Sequence, residues 1–112
     1  MANTYIDTNA IARTRIAGAG EVAEILNDRL AGAKHVVAKL HWLDRGDHLD
    51  AGEPGFHHLV YLMEGEASIA LDGGDHRVGK GAGVYLGPSE TARIAHTGSS
   101  RLTLFHLTVP KL

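Results

Sequence analysis

Eight histidines and no cysteine set the chemical vocabulary of this 112-residue chain. Without cysteine there is no disulfide, no thiolate metal site and no thiol nucleophile. Chemistry falls to imidazole, carboxylate and guanidinium groups. The densest grouping is His48, Glu53, His57 and His58, which surrounds the segment Asp50-Ala51-Gly52-Glu53-Pro54-Gly55. Two or three imidazoles with a carboxylate suit Zn, Fe, Mn or Ni. His57 and His58 are adjacent, so a regular strand points them to opposite faces. Both can hold one ion only if the strand starts after His57 or bulges there. Two further histidines lie inside apolar stretches. Across Val37-Ala38-Lys39-Leu40-His41-Trp42-Leu43, Lys39 and His41 share one face and Leu40 and Trp42 the other. Leu40 with Trp42 is the expected core face. The Lys39/His41 face then meets solvent or, in a small barrel, lends polar contacts to a ligand cavity. His106 alternates with Leu102 and Leu104, which predicts an inward face.

These groups need elements to hold them, and the chain offers short strands. The 44% hydrophobic and 21% charged content is that of one ordinary folded domain. From residue 35 onward, apolar runs over 35–43, 59–63, 67–71, 76–78, 84–86, 91–95 and 101–109 alternate with glycine-rich turns. Asp72-Gly73-Gly74-Asp75 is a hairpin signal, and Gly87-Pro88 and Pro110 stop strands. Turns at this spacing predict a β-sandwich or barrel. Upstream, residues 1–12 read as an extended arm and Ala17-Gly18-Ala19-Gly20 as a joint. Residues 21–30 suit a helix or a strand, and the β-rich surroundings favour strand then loop. The glycines of Gly79-Lys80-Gly81-Ala82-Gly83 have the wrong spacing for a phosphate loop and are expected to be turns.

A net charge of −2 without a basic cluster predicts no nucleic-acid partner. No apolar run is long enough to span a bilayer. The first residues lack a charged-then-apolar leader, so a cytoplasmic location is expected.

From about Leu40 to Val109 the chain resembles the cupins, small jelly-roll barrels. Gly46 and Gly65 stand at the two ends of the family's first motif, and Tyr61-Leu62-Met63-Glu64-Gly65-Glu66 resembles its strand and turn. Gly81-Ala82-Gly83-Val84-Tyr85-Leu86-Gly87-Pro88 resembles the start of its second motif, and residues 102–110 its closing strand. The resemblance implies an all-β, cupin-type double-stranded β-helix (jelly-roll barrel). Residues 1–34 would form an N-terminal arm with edge strand(s), and residues 35–112 the barrel, in one structural domain. The small size and open strand edges predict a homodimer, as is common in the family.

Counted from the same glycines, Gly52 and Pro54 fall where the family has two metal-binding histidines. His58 falls at the glutamate position, Arg93 at the last histidine and Thr97 at the asparagine. The resemblance therefore implies a barrel without the usual metal set, with His58 facing the lumen and Arg93 supplying a fixed positive charge. The expected activity is acid–base chemistry on a small, anionic organic molecule, of isomerase, epimerase, dehydratase or cyclase type. His58 would move the proton and Arg93 would hold developing negative charge, with His41 and His106 as further catalytic candidates. One alternative is a dioxygenase-like enzyme holding a divalent metal through His48, Glu53, His57 and His58. Another is a barrel that binds a small ligand without turnover.

Overall fold

A computed structural model describes residues 7–27, 35–71 and 73–111. The described residues are all-β, in two antiparallel sheets. The strands are β1 (Thr14–Ile16), β2 (Gly20–Leu26), β3 (Val37–Leu43), β4 (His48–Ala51), β5 (Phe56–Glu64), β6 (Glu66–Leu71), β7 (Gly74–Gly79), β8 (Gly83–Leu86), β9 (Ala92–His96) and β10 (Leu102–Pro110). The larger sheet runs β1-β2-β3-β10-β5-β8 and the smaller β4-β9-β6-β7. Their inner faces close on one another as a jelly-roll sandwich.

Side-chain alternation explains why each strand sits as it does. On β5, His58, Val60 and Leu62 are buried while Leu59, Tyr61 and Met63 are exposed. On β10, Leu102, Leu104 and His106 are buried in the same two-residue rhythm. Leu43, Val60, Leu62, Leu102 and Leu104 of the large sheet meet Ala67, Ile69, Ala92 and Ile94 of the small one. These side chains close one end of the barrel. Toward the other end three neighbouring strands change character together. β3 goes from Leu43 to His41 to Lys39, β10 from Leu104 to His106 to Thr108, and β5 from Leu62 and Val60 to His58.

Several expectations need adjusting. Leu40 and Trp42 are buried, but not in the lumen. They pack with Ala23 of β2, Ile25 and Phe105 on the outer face of the large sheet. The Arg13 guanidinium lies 3.7 Å from the Trp42 ring centroid. The lumen face of β3 is the polar one, because β2 and the segment before β1 supply a second apolar layer outside. The segment around Asp50, outside every predicted strand, begins as strand β4, which pairs with β9. Within 1–34, β1 and β2 extend the large sheet, with β1 at its edge and β2 between β1 and β3. The first six residues of the arm and the loop expected after β2 lie outside the described residues.

Two glycines make the tightest approaches between segments. At Gly20 (φ +75°) a Cβ would collide with the Trp42 carbonyl oxygen, and at Gly52 (φ +115°) with that of Glu90. Only glycine fits at either place. Gly52 therefore cannot be swapped for a metal-binding side chain without moving the β8–β9 connection.

Candidate functional site

The register of the large sheet builds the site. His106 lies opposite Lys39 on β3 and opposite Val60 on β5. His41 lies opposite Leu104, and His58 opposite Thr108. His41 and His58 are thus each one diagonal step from His106, on either side of it. Diagonal neighbours on one face are within reach of ring side chains. The ring centroids are 5.5 Å apart for His41 and His106, and 5.1 Å for His58 and His106. All three histidines are under 8% exposed: 5% for His41, 4% for His58 and 7% for His106.

They form one hydrogen-bonded chain whose direction is fixed at its first link. The backbone amide of Glu53 donates to His58 Nε2 at 3.0 Å. An amide can only donate, so Nε2 holds a lone pair and His58 carries its proton on Nδ1. That N–H donates to His106 Nε2 at 2.9 Å, with Thr108 Oγ1 at 3.4 Å beside it. His106 Nδ1–H then donates to His41 Nε2 at 3.3 Å. His41 is left with its proton on Nδ1, which has no partner among the described residues and is not sealed from solvent. Three neutral imidazoles therefore all point their N–H groups the same way, ending in an open donor.

Burial keeps them neutral. It lowers His41 to about 4, with Lys39 adding to the effect. It lowers His106 to about 3, helped by the neighbouring His41, His58 and Lys39. His58 is also lowered by burial, while Glu53 partly opposes the shift. The chain borders a cavity of about 270 Å³ whose wall also includes Ile16, Val22, Lys39, Leu49 and Glu53. β1 and β2 thus form part of the wall.

This arrangement does not suit a metal ion. A tetrahedral site needs three nitrogens each about 2.0–2.1 Å from one point. His106 directs its two ring nitrogens away from each other, one toward His58 and one toward His41, and His58 Nε2 is taken by an amide. No shared point exists without reorienting the rings. Among the described residues no group of three or more histidines and carboxylates has metal-holding geometry.

The sequence-derived residues are divided by the fold. His41, His58 and His106 come together. The alternative set of His48, Glu53, His57 and His58 does not, because alternation separates it. His48 turns outward toward Asp50, 3.6 Å away. His57 turns outward and shares a 2.7 Å hydrogen bond with the Tyr85 hydroxyl. Arg93 is corrected. It is exposed on the outer face of β9, where Nε donates to its cross-strand partner Asp50 at 2.8 Å. The inward side chains of β9 are Ala92 and Ile94. Counting from motif glycines placed Arg93 in the lumen because such counting is blind to a one-residue offset, and one residue reverses the face of a strand. Lys39 was not nominated, although its place two residues before His41 put it on the same face. The direction of the chain had no sequence signal, since it depends on a backbone amide across a loop.

No protein-family model matches the sequence. No curated protein matches it. Solved structures do match in fold. A predicted oxalate decarboxylase from Thermotoga maritima superimposes with a TM-score of 0.80 at 20% identity, covering 96% of this chain and 100% of that one. The polyketide cyclase RemF from Streptomyces resistomycificus gives 0.78 at 15% identity, covering 97% and 80%. An RmlC-like cupin from Shewanella frigidimarina gives 0.77 at 16% identity, covering 98% and 93%. At these identities the likeness is one of architecture.

Proposed function

Because this chain is a cupin by fold, we propose that it is a small-molecule enzyme performing acid–base chemistry in the barrel lumen. The reaction class is proton abstraction beside a carbonyl, the step shared by isomerases, epimerases, dehydratases and cyclases. The observation that carries this reading is the one-directional chain from the Glu53 amide through His58 and His106 to the open N–H of His41.

The roles follow from the chemistry of each group. Glu53 lines the cavity, and its exposed side chain makes no hydrogen bond or ion pair among the described residues, though its charge is felt at His58. It is the group suited to take a proton from carbon. As the C–H bond breaks, its electron pair moves onto the carbonyl oxygen, which becomes an oxyanion. His41 Nδ1–H donates a hydrogen bond to that oxygen. A neutral imidazole serves better here than imidazolium, since it stabilises the enolate without trapping it as the enol. Return of the proton from Glu53 to carbon completes an isomerisation, and loss of a leaving group instead gives elimination. His58 and His106 are positioning residues, which hold the His41 tautomer and polarise its N–H.

Deuterium exchange tests the reading. In D₂O, a panel of small ketones and 2-oxo acids is followed by proton NMR. Protein-dependent exchange at the carbon beside the carbonyl is expected for at least one member. It should fall about 100-fold or more in Glu53→Gln, the usual scale for a positioned base. Arg93→Ala should leave it unchanged. No exchange across the panel, or exchange indifferent to Glu53, would overturn the reading. A ligand held but recovered unchanged would favour a binding role. A stoichiometric metal bound through His58 would favour the metal-dependent alternative.

A homodimer is also proposed. Leu59, Tyr61, Met63 and Tyr85 stand 40%, 43%, 39% and 58% exposed on the outer face of β5 and β8. Such a contiguous apolar patch suits an interface. Light scattering is expected to give twice the 11.9 kDa chain mass, and Tyr61→Lys should shift the protein to monomer. A wild-type monomer at high protein concentration would refute the assembly.

A further inference from the structure

We propose that the cavity takes a small carboxylate and that Lys39 is its anchor. The inference rests on the acid–base reading above and adds the substrate class and the residue that selects it.

Position comes first. Lys39 lies on the inner face of β3, two residues from His41 and directly opposite His106. Among the described residues it is the only lysine or arginine on the cavity wall. Several cations elsewhere are committed to carboxylates: Arg101 to Glu21 and Asp44, Arg93 to Asp50, and Lys80 to Glu64. Lys39 has no ion pair or hydrogen bond among the described residues. Its charge is felt by its neighbours, because it contributes to the lowered proton affinity of His41, His58 and His106.

The second observation is the fixed direction of the histidine chain. Its open end is a donor, so next to Lys39 the cavity offers a cation and an N–H and no imidazole lone pair. All three imidazole Nε2 atoms are occupied as acceptors. Lys39 suits the carboxylate, and the His41 N–H beside it remains for the adjacent carbonyl oxygen of a 2-oxo acid.

The nearby carboxylates do not fill that role. Asp50 also borders the cavity, but its carboxylate is committed to Arg93. Glu24, opposite Lys39 on β2, accepts from the Asn27 side chain at 3.0 Å. Glu53 stands at the other end of the chain, where its amide holds His58. A carboxylate seated at Lys39 would therefore extend its carbon body toward Glu53, past Ile16, Val22 and Leu49. The cavity, at about 270 Å³, is near the small end of ligand sites and admits an acid with a short apolar body or a single ring.

Benzoate and benzamide are the probes, since they share a shape and differ in charge. Full-length protein labelled with ¹⁵N at histidine is titrated with each at pH 7.5, and imidazole resonances are followed by NMR. Benzoate is expected to shift the His41 and His106 signals saturably, and benzamide to bind about tenfold or more weakly. Lys39→Met should weaken benzoate by a similar factor, and Lys39→Arg should restore it to within about threefold. Equal binding of the two probes, no saturable benzoate shift at millimolar concentration, or unchanged benzoate binding in folded Lys39→Met would each overturn the proposal. The acid–base reading fails separately. If Lys39→Met retains deuterium exchange with unchanged KM, the anchor is wrong and proton transfer stands. If benzoate binding needs Lys39 but no exchange occurs, the anchor stands alone.

Discussion

Replacing His106 with leucine is expected to destabilise the protein by about 2–5 kcal/mol and to lower deuterium exchange at least about tenfold. The middle ring serves two partners at once. Without it, His58 Nδ1–H and His41 Nε2 lose the partners they hold at 2.9 Å and 3.3 Å in a buried layer. Each unsatisfied buried group costs about 1–3 kcal/mol. The transferable signature is non-additivity. Replacing His41, His58 and His106 together by leucine removes both sides of the two links and leaves apolar groups facing apolar groups. Such an exchange is far gentler than orphaning the partners. The triple variant is therefore expected to be more stable than His106→Leu, although the Glu53 amide loses its acceptor in it. Urea unfolding at pH 7.5 measures both. Single-variant losses that add up to the triple value would show that the rings act independently and that no chain exists. Exchange activity is expected to fall about 100-fold or more in the triple variant, since the open His41 donor has gone.

The second large effect is with pH. The wild-type protein is expected to lose on the order of 3 kcal/mol or more of folding stability between pH 7 and pH 4. In the unfolded chain His41 and His106 titrate near 6.5, whereas in the fold they resist protonation until about 4 and about 3. Between those limits the unfolded state binds more protons than the native state, so stability falls as pH falls and is fully present above about 6.5. Each unit of separation is worth about 1.4 kcal/mol, so His41 alone reaches about 3 kcal/mol by pH 4. His106 adds to this in the same direction, as does His58, whose affinity is also lowered by burial. Loss of that size is a large share of the stability of an ordinary domain. Asp50, held low by Arg93, contributes in the same sense but at lower pH. The triple leucine variant separates the contributions. Its urea midpoint should change little from pH 7 to pH 5, while the wild-type midpoint drops steeply. A wild-type midpoint that stays level over that interval would contradict the buried neutral chain.

Legibility from sequence tracked the range of the interaction concerned. Strand positions followed from local alternation and turn chemistry. The runs ending at Leu43, Met63, Leu71 and Val109 were set by glycine, proline and aspartate beside them, and they appear as β3, β5, β6 and β10. β4 escaped because His48-Leu49-Asp50-Ala51 carries a single large apolar residue and so shows no alternation. The same alternation gave His106 its inward face and set His57 against His58, while the choice of His58 as the inward one came from the resemblance. For β3 the pattern gave Leu40 and Trp42 as a core face, as observed, but left the Lys39/His41 face open between solvent and lumen. Nothing within that strand announces that β2 and Phe105 would bury the Leu40/Trp42 face outside the lumen.

By itself, then, the sequence determined the all-β architecture and the short strands of residues 35–109, with His41, His58 and His106 among its candidate site residues. These are consequences of period-2 patterning and turn residues, which act over a few neighbours. Tertiary structure alone decided how those histidines are joined. Strand register brought residues 65 and 48 positions apart into contact. It also turned Arg93 outward to Asp50 and brought Lys39 in beside His106. The direction of the chain rests on one backbone amide reaching His58 across a short loop. A hydrogen bond depends on where two groups meet in space, and residue type leaves that meeting open.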